Sequence, residues 1–192
     1  MLNAVIFCRH GETESNLGGW LAGSRDVSLT ERGRAQAQDA AAALLAEGRT
    51  VPVVYSSPQR RALETAAILA DALRAPVMPV AGLEERRWGD LEGGAIPADL
   101  LREQVPNGES LTGFHSRVTA ALDGLPVPAD GRPPLIVAHA GTWPVLCRWM
   151  GRHSKMLWPP NASPVHLTRQ TGMVGVDVPG ESGEAEINWL GR

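Results

Sequence analysis

The sequence predicts an α/β fold, a three-layer α/β/α sandwich with a mostly parallel central sheet. Two observations support this prediction. The first is that short apolar runs typical of buried strands alternate with longer stretches whose apolar residues recur at helical spacing. The second is the length, because 192 residues correspond to about one domain and no linker, repeat or low-complexity tract divides them. We therefore expect a single domain over residues 1–192.

The first half of the chain alternates two predicted strands with two predicted helices. Residues 4–8 form an apolar run that ends at a charged turn, and residues 51–55 form the second run. Between them, Thr30 or Ser28 can cap a helix that continues at near 3.6 spacing and ends at Gly48. The next helix is predicted over 57–73, because a proline near its start suits a first helical turn.

The second half repeats this alternation and ends in a tail of short strands. An apolar run at 77–80 precedes an irregular segment. A helix over 110–122 places its apolar residues on one face and ends at Gly124, followed by a strand at 135–138 and a helix at about 142–150. The tail predicts short strands between Gly-rich loops, at 165–167, 174–178 and 187–190.

Composition argues against several classes of partner. Lys+Arg 18 against Asp+Glu 21 gives a formal charge of −3 and a pI near 6.0, which argues against nucleic acid. The longest uncharged stretch, 133–147, is too short and proline-broken for a membrane span, and the N-terminus lacks signal-peptide features. We expect a cytoplasmic protein in which Cys8 and Cys147 are reduced core thiols. No pattern specifies an oligomeric state.

Two of the five histidines follow predicted strands, at the carboxyl ends where open α/β sheets bind ligands. His10 follows the first strand, and His139 follows the strand at 135–138. If these strands are neighbours, both rings face one crevice. Gly11 allows a sharp turn after His10, and Arg9 supplies a planar fork that matches phosphate oxygens. The alternative interpretation is a core histidine in an ion-paired loop. The remaining histidines are interpreted as structural or solvated: His115, His153 and His166.

Five short blocks with unusual residue combinations follow one another along the chain. They are 9–13 with Asn16, 56–62 with Thr65 and Ala66, 83–85 with 88–89 and 92–93, 107–110 with Phe114 and Arg117, and 137–141. In this order they resemble the signature of the histidine phosphatase superfamily, which contains cofactor-dependent phosphoglycerate mutases and many phosphomonoesterases. The blocks cover nearly the whole chain, so together they are far more specific than any one of them. The resemblance implies a phosphoglycerate mutase-like fold.

The resemblance also implies a mechanism for hydrolysis of a small-molecule phosphate monoester. His10 attacks phosphorus and becomes a phosphohistidine, which water then hydrolyses. A neutral imidazole is already a nucleophile, so it needs no adjacent base. Arg9, Arg61 and a protonated His139 would surround the charge on the transferred group in place of metal ions, so no metal or cofactor is expected.

The resemblance also implies a proton donor and a set of substrate-binding residues. Glu85 aligns with the family's proton donor, and Glu84 and Glu12 are nearby alternatives. Ala22 departs from the family, where a polar residue often touches phosphate or substrate. Recognition of the alcohol is expected in the loops at 17–25 and 96–104, whose composition names no molecule. The expected substrate-binding residues are Arg9, Asn16, Gly23, Arg61, Arg86, Trp88 and His139.

Three other functions compete with hydrolysis. A mutase needs a phosphohistidine that survives until a second hydroxyl accepts the phosphoryl group, and the chain offers mainly Arg102 where mutases carry extra basic residues. A metallohydrolase could use two histidines and a carboxylate, but the flanking arginines oppose a cation and no HExxH spacing is present. A phosphate-binding regulatory module would keep the fold without turnover. Against it stands the presence of all the residues expected to react or to bind phosphate: Arg9, His10, Arg61, Glu85 and His139.

Overall fold

The computed structural model describes residues 1–152 and 158–170 and the backbone of 188–189. Within these ranges the strands are β1 (Ala4–Arg9), β2 (Val54–Ser56), β3 (Val77–Pro79), β4 (Leu135–Ala138), β5 (Pro164–Thr168) and β6 (Asn188–Trp189). They form one sheet in the order β3-β2-β4-β1-β5-β6. The pairs β3–β2, β2–β4 and β4–β1 are parallel, whereas β5 is antiparallel to β1 and β6 is antiparallel to β5. The mostly parallel sheet is therefore confirmed.

Helices cover both faces of this sheet. They are α1 (Glu14–Gly18), α2 (Glu31–Ala46), α3 (Arg60–Leu73), α4 (Leu111–Asp123) and α5 (Thr142–Trp149), with a 3-10 turn at Gly89–Leu91. Successive side chains of β1 point to opposite faces, as the pleat requires. Ile6 packs in the cluster that includes α2 and α3, and Phe7 packs in the cluster that includes α4 and α5. The α/β/α layering is therefore confirmed.

Several element boundaries differ from the sequence predictions for local reasons. Helix α3 begins at Arg60 because Ser57 still extends the sheet, donating its N–H to the Val137 carbonyl at 2.9 Å. Strand β2 begins at Val54, beyond Pro52, which has no N–H for a ladder. Helix α1 was not predicted, since it has only five residues and depends on a capping box formed with Thr13. The predicted strand at 174–178 lies outside the described residues, and that at 187–190 appears as β6.

Cys8 and Cys147 are buried on opposite faces of the sheet and form no disulfide. Burial raises the pKa of the Cys8 thiol to about 12, so this thiol stays protonated and unreactive at neutral pH. In the part of the chain that the structure describes, no helix combines the length and apolar character needed to span a membrane.

The register of the central strands brings three loops to one edge of the sheet. Arg9 at the end of β1 is level with Ala138 at the end of β4, and the His10 N–H continues this ladder to the Ala138 carbonyl at 3.0 Å. Ser56 of β2 pairs with Val137 in the same direction. The residues that follow β1, β2 and β4 therefore meet in one place, as expected of the carboxyl edge of a parallel sheet.

Candidate active site

His10 and His139 face each other at this edge, with ring centroids 5.3 Å apart. Both are buried. His10 Nδ1 lies 2.8 Å from the Gly11 carbonyl oxygen, which can only accept, so Nδ1 carries the proton and Nε2 keeps its lone pair. Gly11 in turn donates its N–H to Thr65 Oγ1 at 3.0 Å, and a Cβ on Gly11 would collide with the Gly33 backbone. The turn after β1 thus fixes one tautomer of His10.

The environment of both imidazoles favours their neutral form. Burial, followed by the charges of Arg61 and Arg9, holds the pKa of His10 well below 6.5, and the hydrogen bond to Gly11 offsets this only in part. The pKa of His139 is also well below 6.5, because of burial and then Arg61, His10 and Arg9. Neutral His10 suits a nucleophile. For His139 the result differs from the protonated state that the sequence analysis expects, since burial and the same arginines oppose a third positive charge.

His139 is held on one side of its ring only. Its Nε2 shares a hydrogen bond of 2.8 Å with Ser57 Oγ, directly after β2. Its Nδ1 is buried and has no partner among the described residues. A buried ring nitrogen without a partner is costly unless a ligand or water satisfies it. The second histidine therefore has one polar atom left for a ligand.

These two histidines predict a pH dependence of stability. An unfolded histidine binds a proton below about pH 6.5, whereas His10 and His139 in the folded protein do so only at a lower pH. The unfolded state therefore binds more protons below pH 6.5, and stability is lost as the pH falls, by about 1.4 kcal/mol per pH unit and histidine. Urea unfolding measures the free energy of unfolding of the wild type and of His139→Asn between about pH 7 and pH 5. Plotted against pH, this free energy should have a shallower slope for the variant. Equal slopes would contradict the burial of a neutral His139.

Two arginines supply the positive charge. Arg61 is 2% exposed, and its guanidinium donates to the carbonyls of Gly23 and Arg25, each at 2.9 Å. Arg9 is half-buried, and its Nε has no partner among the described residues. Neither arginine forms a salt bridge within the described ranges. Burial lowers the pKa of both guanidiniums, but arginine stays charged at neutral pH. Two desolvated cations without a carboxylate partner form a site for an anion.

The Glu85 carboxylate is fixed by two backbone N–H groups from different blocks. Its Oε1 accepts from Arg86 at 2.8 Å and its Oε2 from Gly141 at 3.1 Å. Glu85 lines the same cavity as Arg9 and His10. This carboxylate is therefore positioned beside the two groups expected to handle phosphate.

The two alternative carboxylates lie elsewhere. Glu84 accepts from the Gly82 N–H at 2.6 Å and pairs with Arg117 at 3.4 Å. Glu12 accepts from the Thr30 hydroxyl at 2.9 Å. Neither is among the residues that line the cavity, so Glu85 is the carboxylate whose position suits a proton donor.

Gly141 offers a test of the Glu85 position. Its backbone is helical (φ −66, ψ −28), so an alanine is accepted there without strain, but the new Cβ would collide with Glu85 Oε1. We expect Gly141→Ala to lower kcat for alkyl phosphates about tenfold by displacing the carboxylate. Steady-state rates compared with those of Gly124→Ala, at a helix end where a new Cβ would make only ordinary van der Waals contacts, would test this. An unchanged kcat would show that the carboxylate position does not limit the reaction.

The cavity has a volume of about 200 Å³. Five of its polar lining residues, here called the phosphate cluster, are Arg9, His10, Asn16, Arg61 and Glu85. Both loops expected to recognise substrate contribute, through residues 20–23 and through residues 96, 100 and 101. Among residues 1–152 and 158–170, no three His, Cys, Asp or Glu side chains are arranged to hold a metal ion.

Six of the seven expected substrate residues line the cavity, and His139, which is fully buried, is not among its lining residues. The Oδ1 of Asn16 accepts from the Thr13 N–H at 3.1 Å and from Asn161 at 3.1 Å, which leaves its amide N–H groups for a ligand. Gly23 contributes mainly through its carbonyl, which holds Arg61 at 2.9 Å. Trp88 is buried in the cavity lining.

The arginine pair after Glu85 divides between interior and surface. Arg86 is 1% exposed and donates to the backbone carbonyls of Arg102, Glu103 and Glu109, whereas Arg87 is exposed. In sequence this pair resembles a solvated surface feature, but Arg86 is buried because the following loop places three carbonyl oxygens around its guanidinium. Arg86 does line the cavity.

Gln59 is the main positioning residue that the sequence did not reveal. Its Oε1 accepts from Arg61 Nη2 at 3.1 Å and from the Glu85 N–H at 2.9 Å, and its Nε2 donates to the Gly23 carbonyl at 2.9 Å. One amide thus connects the arginine, the carboxylate segment and the loop after α1. A glutamine before a helix carries no signal for this role, since its partners come from distant segments.

Replacing Gln59 by leucine should therefore displace both the Arg61 guanidinium and the Glu85 segment. We expect kcat/KM to fall about 10–10²-fold, because small displacements of positioned groups have effects of this size. Alkyl phosphates should suffer more than activated esters, which need the carboxylate less. The exposed Gln38→Leu on α2 is the matched control. A thermal unfolding curve separates loss of positioning from loss of fold, and a variant with wild-type rates would contradict the role.

Comparison with known proteins adds independent information. Residues 5–175 match the histidine phosphatase superfamily (branch 1). A 2,3-bisphosphoglycerate-dependent phosphoglycerate mutase of Bradyrhizobium sp. (strain BTAi1) is 32% identical over 157 residues, 72% of this chain and 76% of the mutase. A Hydrogenobacter thermophilus protein provisionally named phosphoserine phosphatase 2 is 31% identical over 172 residues, 82% of this chain and 83% of its own.

The fold is shared with solved structures. A mycobacterial glucosyl-3-phosphoglycerate phosphatase in complex with VO3 superposes with a TM-score of 0.74 at 26% identity, covering 86% of this chain and 91% of the other. A Bacillus stearothermophilus protein, YhfR, gives a TM-score of 0.72 at 25% identity, covering 85% and 89%. The similar proteins thus include both mutases and phosphatases.

Proposed function

The chain belongs to the histidine phosphatase superfamily, and on this premise we propose that it is a phosphomonoesterase that hydrolyses small-molecule phosphate esters through a phosphohistidine on His10, without a metal ion. The observation that carries the proposal is the state of His10. Its Nδ1–H is fixed on Gly11, so its Nε2 lone pair is available. Arg9 and Arg61, without carboxylate partners in the described ranges, lie around it.

In the first step His10 Nε2 attacks phosphorus as the ester P–O bond breaks. Arg9 and Arg61 stabilise the charge on the non-bridging oxygens, and the Asn16 amide donates to one of them. The leaving alkoxide takes a proton from the Glu85 carboxylic acid. The products are a free alcohol and a phosphohistidine whose Nδ1–H still donates to Gly11.

In the second step water attacks the phosphohistidine. The Glu85 carboxylate accepts a proton from this water, the P–N bond breaks, and its electron pair returns to His10 Nε2. Inorganic phosphate leaves, and Glu85 holds a proton again for the next turnover. One carboxylate therefore acts first as acid and then as base.

A mutase is the second candidate, because several similar proteins carry that name. A mutase must hold the charged intermediate until a second hydroxyl accepts the phosphoryl group. Arg102, the basic residue available for this in the loop after Glu85, directs its backbone carbonyl to Arg86 and its Nε to the Asp99 carbonyl. It is not among the cavity residues, which favours hydrolysis.

The test measures released phosphate and isomerised product with excess chelator present. Released phosphate from 4-nitrophenyl phosphate, with no isomerised product from 3-phosphoglycerate, is the expected result. Isomerisation without phosphate release would establish a mutase instead. Activity lost with chelator and restored by a divalent metal would establish a metallohydrolase. Phosphate binding without turnover of any ester would establish a regulatory module.

A further inference from the structure

The cavity beyond the phosphate cluster is lined by large apolar side chains. This apolar wall consists of Trp20, Leu21, Ile96, Leu100, Leu101 and Leu111. Ile96 is 52% exposed and Leu101 is 53% exposed, so the wall continues to the cavity mouth. Exposed apolar residues that join a cavity indicate a binding surface, whereas scattered ones carry no such meaning. An alcohol attached to the bound phosphate would lie against this wall.

Few polar side chains interrupt the wall. Among the described lining residues, Glu85 is the one carboxylate, and it already accepts two backbone N–H groups. His115 is half-buried, and burial followed by the charges of Arg148 and Arg86 lowers its pKa, so its imidazole is neutral. An alcohol rich in hydroxyls would lose its hydrogen bonds to water here without gaining others from the wall, which disfavours its binding. An ammonium group would in addition meet the charge of Arg86.

Arg86 also lines the cavity, beside the apolar wall, and one of its guanidinium nitrogens has no hydrogen-bond partner among the described residues. Its Nε donates to the Glu109 carbonyl at 2.9 Å, and its Nη2 donates to the carbonyls of Arg102 and Glu103. Its guanidinium carbon lies 4.5 Å from the centre of the Trp88 ring. Its Nη1 is buried and has no partner among the described residues. A buried guanidinium with an unmet N–H group favours a charged or carbonyl oxygen as its partner.

We propose that this cavity takes phosphate monoesters whose alcohol is an aryl or branched alkyl group bearing a single carboxylate or carbonyl oxygen, which accepts a hydrogen bond from Arg86 Nη1. The inference rests on the proposed function, because it identifies the leaving group of the same reaction. The apolar body of the alcohol packs on the wall, and its one oxygen satisfies Arg86. Sugar phosphates and amino-acid phosphates are disfavoured by the same two features.

Binding of phosphonates tests the proposal without turnover. Calorimetry would compare benzylphosphonate, its 3- and 4-carboxy derivatives, and 2-amino-4-phosphonobutyrate, a non-hydrolysable analogue of phosphoserine. We expect the better carboxy derivative to bind most tightly, and the amino acid at least about tenfold more weakly than benzylphosphonate. Equal or tighter binding of the amino acid than of benzylphosphonate would contradict the proposed role of the apolar wall. Carboxy derivatives no tighter than benzylphosphonate would overturn the role of Arg86.

A pair of exposed apolar residues supplies the matched variants. Leu101→Ser should weaken benzylphosphonate several-fold and leave methylphosphonate, which does not reach the wall, unchanged. Val127→Ser, equally exposed at 52% and outside the cavity lining, should change neither. Equal affinity of wild type and Leu101→Ser for benzylphosphonate would overturn the proposal. Absence of ester hydrolysis together with the expected phosphonate ranking would instead overturn the proposed function and leave the ligand class standing.

Discussion

Replacement of His10 by alanine is expected to abolish phosphate release from every monoester, a loss of at least about 10⁴-fold in kcat. The variant removes the imidazole whose Nε2 lone pair is left available by the hydrogen bond from Nδ1 to Gly11. It should also abolish the covalent intermediate. A P–N bond survives alkali and breaks in acid, so wild-type enzyme quenched in alkali should retain labelled phosphate, and the variant should retain none.

The control for this experiment is a half-buried histidine away from the cavity. His166 lies on β5 beside Ile6 of β1 and does not line the cavity, so turnover and labelling should persist in His166→Gln. Thermal unfolding of all three proteins shows whether each is folded. Labelling of His10→Ala at the wild-type level would place the phosphoryl group on another residue.

Glu85→Gln is expected to slow alkyl phosphates by about 10²–10⁴-fold, and activated aryl esters far less. A good leaving group departs without a proton, whereas an alkoxide needs one. Glutamine keeps the shape of the carboxylate and can still accept from Arg86 or Gly141, so the site should remain assembled. Steady-state rates across a series of esters with graded leaving groups measure the effect as a change of slope.

Glu84→Gln is the matched control for Glu85→Gln, because the two residues are adjacent and Glu84 faces Arg117 and Gly82 instead of the cavity. It should lower stability slightly, since a partly exposed ion pair contributes about 0–1 kcal/mol, and it should leave the leaving-group dependence unchanged. Equal slowing of aryl and alkyl esters by Glu85→Gln would remove Glu85 from the role of acid.

Much of this site could be predicted because the relevant signals are local. The apolar runs before His10 and His139 mark buried strands, and Thr30 and Ser110 mark helix starts that the structure places as predicted. The prediction that His10 and His139 face one crevice depended on their two strands being neighbours in the sheet. Sheet order depends on long-range pairing, which no short window of sequence contains, so the convergence of the site followed from the family pattern and not from periodicity.

Other features depend on burial, charges and hydrogen bonds contributed by residues that are distant in sequence. Arg86 and Arg87 look alike in sequence, and only the carbonyls of the loop from 102 to 109 decide which one is buried. The neutral state of His139 results from burial and from charges on three other elements. Gln59 acquires its role from partners in two loops. In each case the residue type was visible and its environment was not.

The placement of β4 between β2 and β1 has a consequence for biosynthesis. A nascent chain that has left the ribosome only as far as α4 already carries His10, but the strand that must separate β1 from β2 has not yet emerged. Until that late segment inserts, the nucleophile has neither its facing imidazole nor the Gly141 amide that steadies Glu85. Turnover should therefore begin only after β4 and the turn at Gly141 have left the ribosome, and its onset would report insertion of β4 between β1 and β2.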